Sequence, residues 1–274
     1  MNILITGCAG FIGSHATEDF LESGYNVVGV DSMTYAASLD NLSEISGHEN
    51  FKFYIDNICN TKNMIKYCIE NKVEWIINFA AETHVDNSIK SSELFVRSNI
   101  DGVRSLLDCA RETDVKILQI STDEVYGSIG SGSFRETDKL SPKNPYSATK
   151  AAAEHLITAY GSTYGIDYKI VRMSNNFGPR QHNEKFIPTI LRSLFNGKKV
   201  PIYGDGKNVR DWFYVKDCVR MVRRVLHAGH SRQIYNLTHG NEKTNIEIVS
   251  KICSILDKEM SKNIEFVTDR PGHD

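Results

Sequence analysis

No CxxC pair, no HExxH signature and no apolar run near the ~20 residues of a membrane helix occur in this sequence. Its six cysteines, Cys8, Cys59, Cys68, Cys109, Cys218 and Cys253, stand far apart. Isolated thiols argue against a zinc cluster and fit a reducing compartment, so no metal is expected. The opening "MNILITG" lacks both the basic segment and the apolar length of a secretory signal. Charge of one sign is missing too: 32 Lys and Arg against 34 Asp and Glu leave a net charge of −2. Such a balance offers no electrostatic footprint for nucleic acid or a membrane surface. Internal repeats and low-complexity linkers are absent as well. The expectation from these absences is a soluble, cytoplasmic protein.

What is present is an ordinary globular composition, 41% hydrophobic and 24% charged over 274 residues. That length suits one large α/β domain with a smaller part, or two modest domains. The first half alternates short β-branched runs with helical patterns. Strands are read at 2–6, 26–30, 51–55, 74–80 and 115–121, and helices near 11–23, 61–71 and 92–113. Apolar strands separated by helices imply a Rossmann-like, doubly wound parallel sheet covered on both faces. From about residue 175 the text changes. The stretch "NNFGPRQHNEKFIP" reads as a long functional loop, followed by "VPIYGDG", a helix near 216–228, "QIYNL" and a helix near 244–258. A division into 1–174, binding a dinucleotide, and 175–274, mainly a substrate-binding lobe, is expected, with chain crossings between the two.

Gly7, Gly10 and Gly13 follow the first strand directly and open a helix. Glycines there permit a tight turn and close backbone approach, so a pyrophosphate can meet the helix N-terminus. An ordinary glycine-rich turn would satisfy the same spacing; the added signal is Asp31. It ends the second strand, where a carboxylate can bond both ribose hydroxyls. That carboxylate would repel a 2′-phosphate, and the following "SMTY" supplies no Arg to accept one, so the cofactor reading is NAD rather than NADP. Farther on, "NPYSATK" sets Tyr146 and Lys150 one helical turn apart. A cation beside the phenol would lower its pKa from about 10 toward a usable base. Between these landmarks "STDEVYG" adds Thr122 and the adjacent carboxylates of Asp123 and Glu124.

Taken together, "TGCAGFIGSH", "DSMTYAASLDNL", "NFAAETHVDNSI", "STDEVYG", "PYSATKAAAEHL", "SNNFGPRQHNEKFIP", "PIYGDGKNVRDW", "YNLTHGNEKTNIEIV" and "DRPGHD" carry a resemblance over essentially the whole chain. The chain resembles the extended short-chain dehydrogenase/reductase family and, within it, the dTDP-glucose 4,6-dehydratases. The resemblance implies NAD contacts from Phe11, Ile12, Asp31, Ser32, Met33 and Thr34. It implies others from Asn57, Ile58, Phe79, Ala80, Ala81, Thr83, Ser98, Tyr146, Lys150 and Asn176. For the nucleotide sugar it implies Thr83, Thr122, Asn175, Lys185, Phe186, Pro201, Ile202, Tyr203, Arg210 and Asn245, then Asp269, Arg270, Pro271, Gly272 and His273. A diphosphate needs cations, which supports Lys185 and Arg210 chemically. A homodimer is implied too, pairing the helices near 92–113 and 145–164, with Ala151, Ala152, Leu156 and Ile157 offering apolar surface.

Three features depart from the family pattern. Asp56, Asn57 and Ile58 stand where Gly-Asp-Ile is usual, so an amide replaces a carboxylate near the adenine. Asn87 in "HVDNSI" replaces a usual Arg and puts a local ion pair in doubt. The chain also stops soon after "RPGH", where relatives continue, so a truncated C-terminus is expected.

The adjacent carboxylates carry the functional distinction. Oxidation at C4 of glucose makes the C5 proton acidic. Water can then be lost across C5 and C6 if one carboxylate takes that proton while another acid protonates the departing C6 hydroxyl. The resemblance assigns Asp123 as acid and Glu124 as base, with Tyr146, Lys150 and Thr122 serving the C4 oxidation. Such a division needs two carboxyl pKa values pushed apart. A 4-epimerase needs neither acid. The competing readings are a dehydratase for another nucleotide's glucose, a 4-epimerase, and a non-catalytic NAD-binding module.

Overall fold

The structure, a computed structural model, describes residues 1–269. In chain order the first elements are β1 (Asn2–Thr6), α1 (Phe11–Glu22), β2 (Asn26–Asp31), β3 (Phe51–Ile55), α2 (Thr61–Glu70) and β4 (Trp75–Asn78). Two short helices follow, α3 (Val85–Lys90) and α4 (Glu93–Val96), then α5 (Gly102–Thr113), β5 (Lys116–Thr122), α6 (Pro145–Tyr164) and β6 (Tyr168–Met173). The remainder comprises β7 (Asn175–Phe177), α7 (Phe186–Phe195), β8 (Val200–Tyr203), β9 (Val209–Tyr214), α8 (Val215–Ala228) and β10 (Gln233–Leu237). Last come β11 (Glu242–Thr244), α9 (Asn245–Ile255), α10 (Met260–Asn263) and β12 (Ile264–Val267).

Seven strands form a parallel sheet in the order β10-β6-β5-β4-β1-β2-β3. Strand alternation splits the apolar residues between two cores. Ile3 and Ile5 face a core completed by Phe20 of α1 and by Val219 and Val222 of α8. Leu4 points the other way, into a core shared with Met64 of α2, Leu106 and Leu107 of α5, and Ile157 of α6. Both faces are covered, which is why these strands read as nearly continuous apolar runs. A third, smaller core joins Ile190, Leu194, Ile202, Trp212, Val249 and other residues beyond position 175. The chain does not part cleanly there, because β10 and α8 return to the large sheet.

Several local expectations change. The helix near 92–113 is interrupted: between α4 and α5 the chain makes a wide π-helical turn, Arg97–Asp101. Such turns recur at functional sites. Here the turn aims Ser98 at the central cavity and buries Asn99, whose amide donates to the Glu82 carbonyl (3.0 Å) and accepts from the Glu82 N–H (2.9 Å). The stretch 175–188 is not one loop, because β7 occupies its start and α7 begins at Phe186. Pro188 is compatible with that helix because first-turn N–H groups have no intrahelical partner. Ala151 and Ile157 are 5% and 0% exposed and belong to the chain's own core, so they offer no surface to a partner. Ala152 and Leu156 are half-buried. No helix among the described residues is long and apolar enough to cross a membrane.

Candidate active site

The strand order reverses at β1, flanked by β2 on one side and β4 on the other. Ligands of open α/β sheets bind in the crevice beyond the carboxyl ends of the strands at such a point. A cavity opens there, lined from the ends of β1, β2, β4, β5 and β6 by Gly7, Asp31, Phe79, Thr122 and Ser174 among others.

Its dinucleotide half is built from backbone. Gly7 has φ +67, and a Cβ on it would sit 2.8 Å from the Ala80 nitrogen. A Cβ on Gly13 would meet the Gly7 carbonyl oxygen at 2.0 Å, so only glycine lets α1 approach the turn this closely. Helix α1 starts after Gly10 with no side-chain cap, which leaves its first-turn N–H groups for a ligand. Asp31 is 7% exposed; its Oδ2 accepts from the Ala9 N–H (2.9 Å) and its Oδ1 from the Met33 N–H (2.8 Å). Burial raises its pKa, and those two bonds oppose the rise. The Asn176 Oδ1 is buried without a hydrogen-bond partner in the same wall. A close-approach glycine turn, an uncapped helix, an acid at the second strand's end and an orphaned acceptor together fit a dinucleotide such as NAD.

The reacting half comes from β5 and α6. Asn144 caps α6 in a reciprocal box with Ser147, and Pro145 starts the helix, which fixes the rotation of Tyr146 and Lys150. The Asn144 amide also donates to Glu124 Oε2 (3.4 Å). Asp123 through Tyr126 form a 3-10 turn capped by Thr122, whose hydroxyl accepts from the Glu124 N–H and donates to Asp123 Oδ1, both at 3.2 Å. Burial, then Glu124 and Asp123, push the Tyr146 phenol above its ordinary range, while its hydrogen bond with Thr122 pulls it down. Lys150 follows Tyr146 by one helical turn on the same face of α6. Its Nζ is turned to the Ile120 carbonyl (2.6 Å), and burial lowers its pKa to about 8 against the opposing charge of Glu154.

Among the residues proposed for the cofactor, Gly10, Phe11, Ile12, Ser32, Thr34, Asn57 and Ile58 line this cavity, as do Ala80, Ala81, Thr83 and Ser98. Met33 does not; its contribution is the N–H that holds Asp31. Asn57 Oδ1 already accepts from the Cys59 N–H (2.9 Å), and Asp56 is engaged by Asn63 (2.6 Å) and Tyr67 (3.0 Å). Asn87 forms a side-chain hydrogen bond with Tyr35 in place of an ion pair.

Of the residues proposed for substrate, Thr122, Asn175, Lys185 and Phe186 line the same cavity, with Lys185 Nζ donating to the Thr83 carbonyl (3.0 Å). Glu124 lines it as well, whereas Asp123 does not. Pro201, Ile202, Tyr203, Arg210, Asn245 and Asp269 lie beyond it on the smaller part. Ile202 is 1% exposed within the small core, so its side chain faces away from any ligand. Asp269 lies against Gly204, and Arg210 pairs in register with Lys243. Arg270, Pro271, Gly272 and His273 fall outside the described residues. Gln181, His182, Glu184 and Trp212 also line the cavity and escaped the sequence reading, although the first three sit inside the stretch marked as functional. Trp212 packs against Phe186 at 5.9 Å, a contact no local pattern announces.

A parallel sheet with a glycine turn, an acid at the second strand's end and a Tyr-Lys helix defines a short-chain dehydrogenase/reductase type of fold and site. More narrowly, residues 4–274 match the family described as GDP-mannose 4,6 dehydratase, and the chain belongs to it. It is 45% identical to the low-salt glycan biosynthesis protein Agl12 of Haloferax volcanii, covering 100% of this chain and 88% of that one. It superposes with TM-score 0.97 on DesIV, a dTDP-glucose 4,6-dehydratase from Streptomyces venezuelae solved with NAD and dTDP, at 40% identity and covering 100% and 86% of the two chains. A UDP-glucuronic acid 4-epimerase from Bacillus cereus is also similar, with TM-score 0.94 and 29% identity over 100% and 88%.

Proposed function

We propose that this chain converts dTDP-glucose to dTDP-4-keto-6-deoxyglucose with NAD as its cofactor, as a nucleotide-sugar 4,6-dehydratase. The observation that carries this reading is the carboxylate pair of Asp123 and Glu124, set on a rigid turn beside Thr122 and close enough to Tyr146 to raise its pKa. NAD, held by the glycine turn and Asp31, would supply reversible hydride chemistry to the site, accepting hydride from C4 and giving it back at C6 with no net redox change. Tyr146, bonded to Thr122, accepts the proton of the 4-hydroxyl. Lys150 steadies that proton transfer from the next helical turn. Glu124 takes the C5 proton, Asp123 protonates the C6 hydroxyl as it leaves as water, and C5 is reprotonated from solvent as hydride arrives at C6. The fold favours an epimerase almost as well as a dehydratase, so identity of fold does not decide; the acid pair does.

In this reading residues 1–174 hold the cofactor and 175–274 mainly the sugar nucleotide, with Lys185 and Arg210 as the diphosphate's cations. The protein works in the cytoplasm as a homodimer through α5 and α6, near the exposed Leu94 and Val96 (59% and 41%). Incubation with a panel of nucleotide-glucoses, with products identified by mass and NMR, tests the function. A 6-deoxy-4-keto sugar from dTDP-glucose is the expected product, and a galactose epimer would replace this reading with a 4-epimerase. Sedimentation at micromolar concentration tests the dimer.

A further inference from the structure

Behind the reacting groups lies a charged network that the chemistry above does not use. Arg172 on β6 and Glu154 on α6 are 3% and 2% exposed. The Arg172 Nε donates to both Glu154 oxygens (3.2 and 3.0 Å), and Nη2 donates to Oε2 (2.6 Å). Ser121 supplies a further bond to Glu154 Oε1 (2.5 Å). The other arm of the guanidinium, Nη1, donates to the Tyr126 phenol oxygen (2.6 Å) and the Glu136 carbonyl (3.1 Å). Tyr126 in turn donates to Asn236 Oδ1 (2.7 Å) and stacks on Phe134 at 4.6 Å.

A buried ion pair of this kind is weak as a source of stability, since well-packed apolar residues often serve equally well. Its geometry instead joins two particular pieces. Glu154 lies one helical turn beyond Lys150 and two beyond Tyr146, on the same face of α6. Tyr126 closes the short turn that carries Asp123 and Glu124. The guanidinium is planar and forked, so its two arms hold both partners in one fixed relation. The oxidation groups ride on the helix, the elimination groups ride on the turn, and both must address neighbouring carbons of one sugar ring.

We propose that Arg172, acting through Glu154 and Tyr126, is a positioning residue that keeps the turn of Asp123 and Glu124 in register with the helix of Tyr146 and Lys150. Loss of one arm leaves C4 oxidation intact and slows the loss of water. This rests on the dehydratase reading. The test is Tyr126→Phe, which removes the phenol oxygen and keeps the ring, together with Arg172→Lys, which keeps a charge for Glu154 and lacks the fork.

In rapid-quench single turnovers both variants should form the 4-keto-hexose at a rate within about threefold of wild type. Dehydration should slow by about tenfold, below the roughly hundredfold that an ångström of misplacement costs. The 4-keto-hexose, trapped by borodeuteride and identified by the mass of the deuterium added, should accumulate, with KM unchanged. Amide hydrogen exchange in the cofactor-free variants should quicken at 123–127 and not at 145–150. Equal slowing of both steps, an effect on KM alone, or wild-type partitioning would overturn the strut. If Tyr126→Phe is unfolded by near-ultraviolet dichroism, Arg172→Lys decides. Should the wild type itself yield no 6-deoxy product, the dehydratase reading fails and takes the strut's role in elimination with it; a 6-deoxy product with unaltered partitioning in the variants removes the strut alone.

Discussion

Replacing Lys150 by Met should make the cofactor-free protein more stable while abolishing its chemistry. Lys150 is 5% exposed, and burial moves its pKa from 10.5 to about 8. That displacement corresponds to about 3 kcal/mol of penalty for holding the ammonium in the folded state near neutral pH. Methionine fills a similar volume without charge. The bond it deletes, from Nζ to the Ile120 carbonyl, leaves that oxygen satisfied, because the Gln119 side-chain amide also donates to it at 2.8 Å. The loss therefore subtracts only about 1 kcal/mol, and a net gain of about 2 kcal/mol at pH 7 is expected. The pH dependence follows from the direction of the shift. Between pH 8 and 10.5 the unfolded chain binds the lysine proton and the folded chain does not, so wild-type stability rises with pH across that window. The gap between Lys150→Met and wild type should be largest below pH 8 and close toward pH 10.5. Urea unfolding of both proteins at pH 7 and pH 10, with m-values compared, measures it. A variant less stable than wild type at pH 7, or a gap that widens with pH, would refute the burial argument.

Asp31→Ala should narrow a strong preference for NAD over NADP, read by calorimetry; comparable affinity of the wild type for both would remove the basis for naming NAD from Asp31. In Glu124→Gln turnover should fall about 10²–10⁴-fold, the scale of one positioned acid or base, with the 4-keto-glucose species accumulating. Normal turnover there would make the pair structural. Arg210→Ala should weaken substrate binding by about 2 kcal/mol, the low end for a charge pair because the side chain is half-exposed. An unchanged KM would place the diphosphate elsewhere.

Local chemistry made part of this protein legible from its sequence alone. Gly7, Gly10 and Gly13 after a β-branched strand, Asp31 at the next strand's end, and Tyr146 one turn before Lys150 are all short-range patterns. Backbone sterics and helix periodicity dictate their arrangement wherever they occur. The alternation of apolar runs likewise determined a parallel sheet covered on both faces. Other features depend on residues far apart in the chain. The π-helical turn at Arg97–Asp101 exists where Gly102 meets Ile58 and Asn99 reaches Glu82, contacts that no window of sequence contains. Strand β10 pairs with β6 across more than sixty residues, so the second half of the chain completes the sheet of the first. The turning of Lys150 toward Ile120, and the fork of Arg172 between Glu154 and Tyr126, were likewise decided only by tertiary packing. Buried charges take whichever partners the fold brings within hydrogen-bond reach, and desolvation leaves them no alternative.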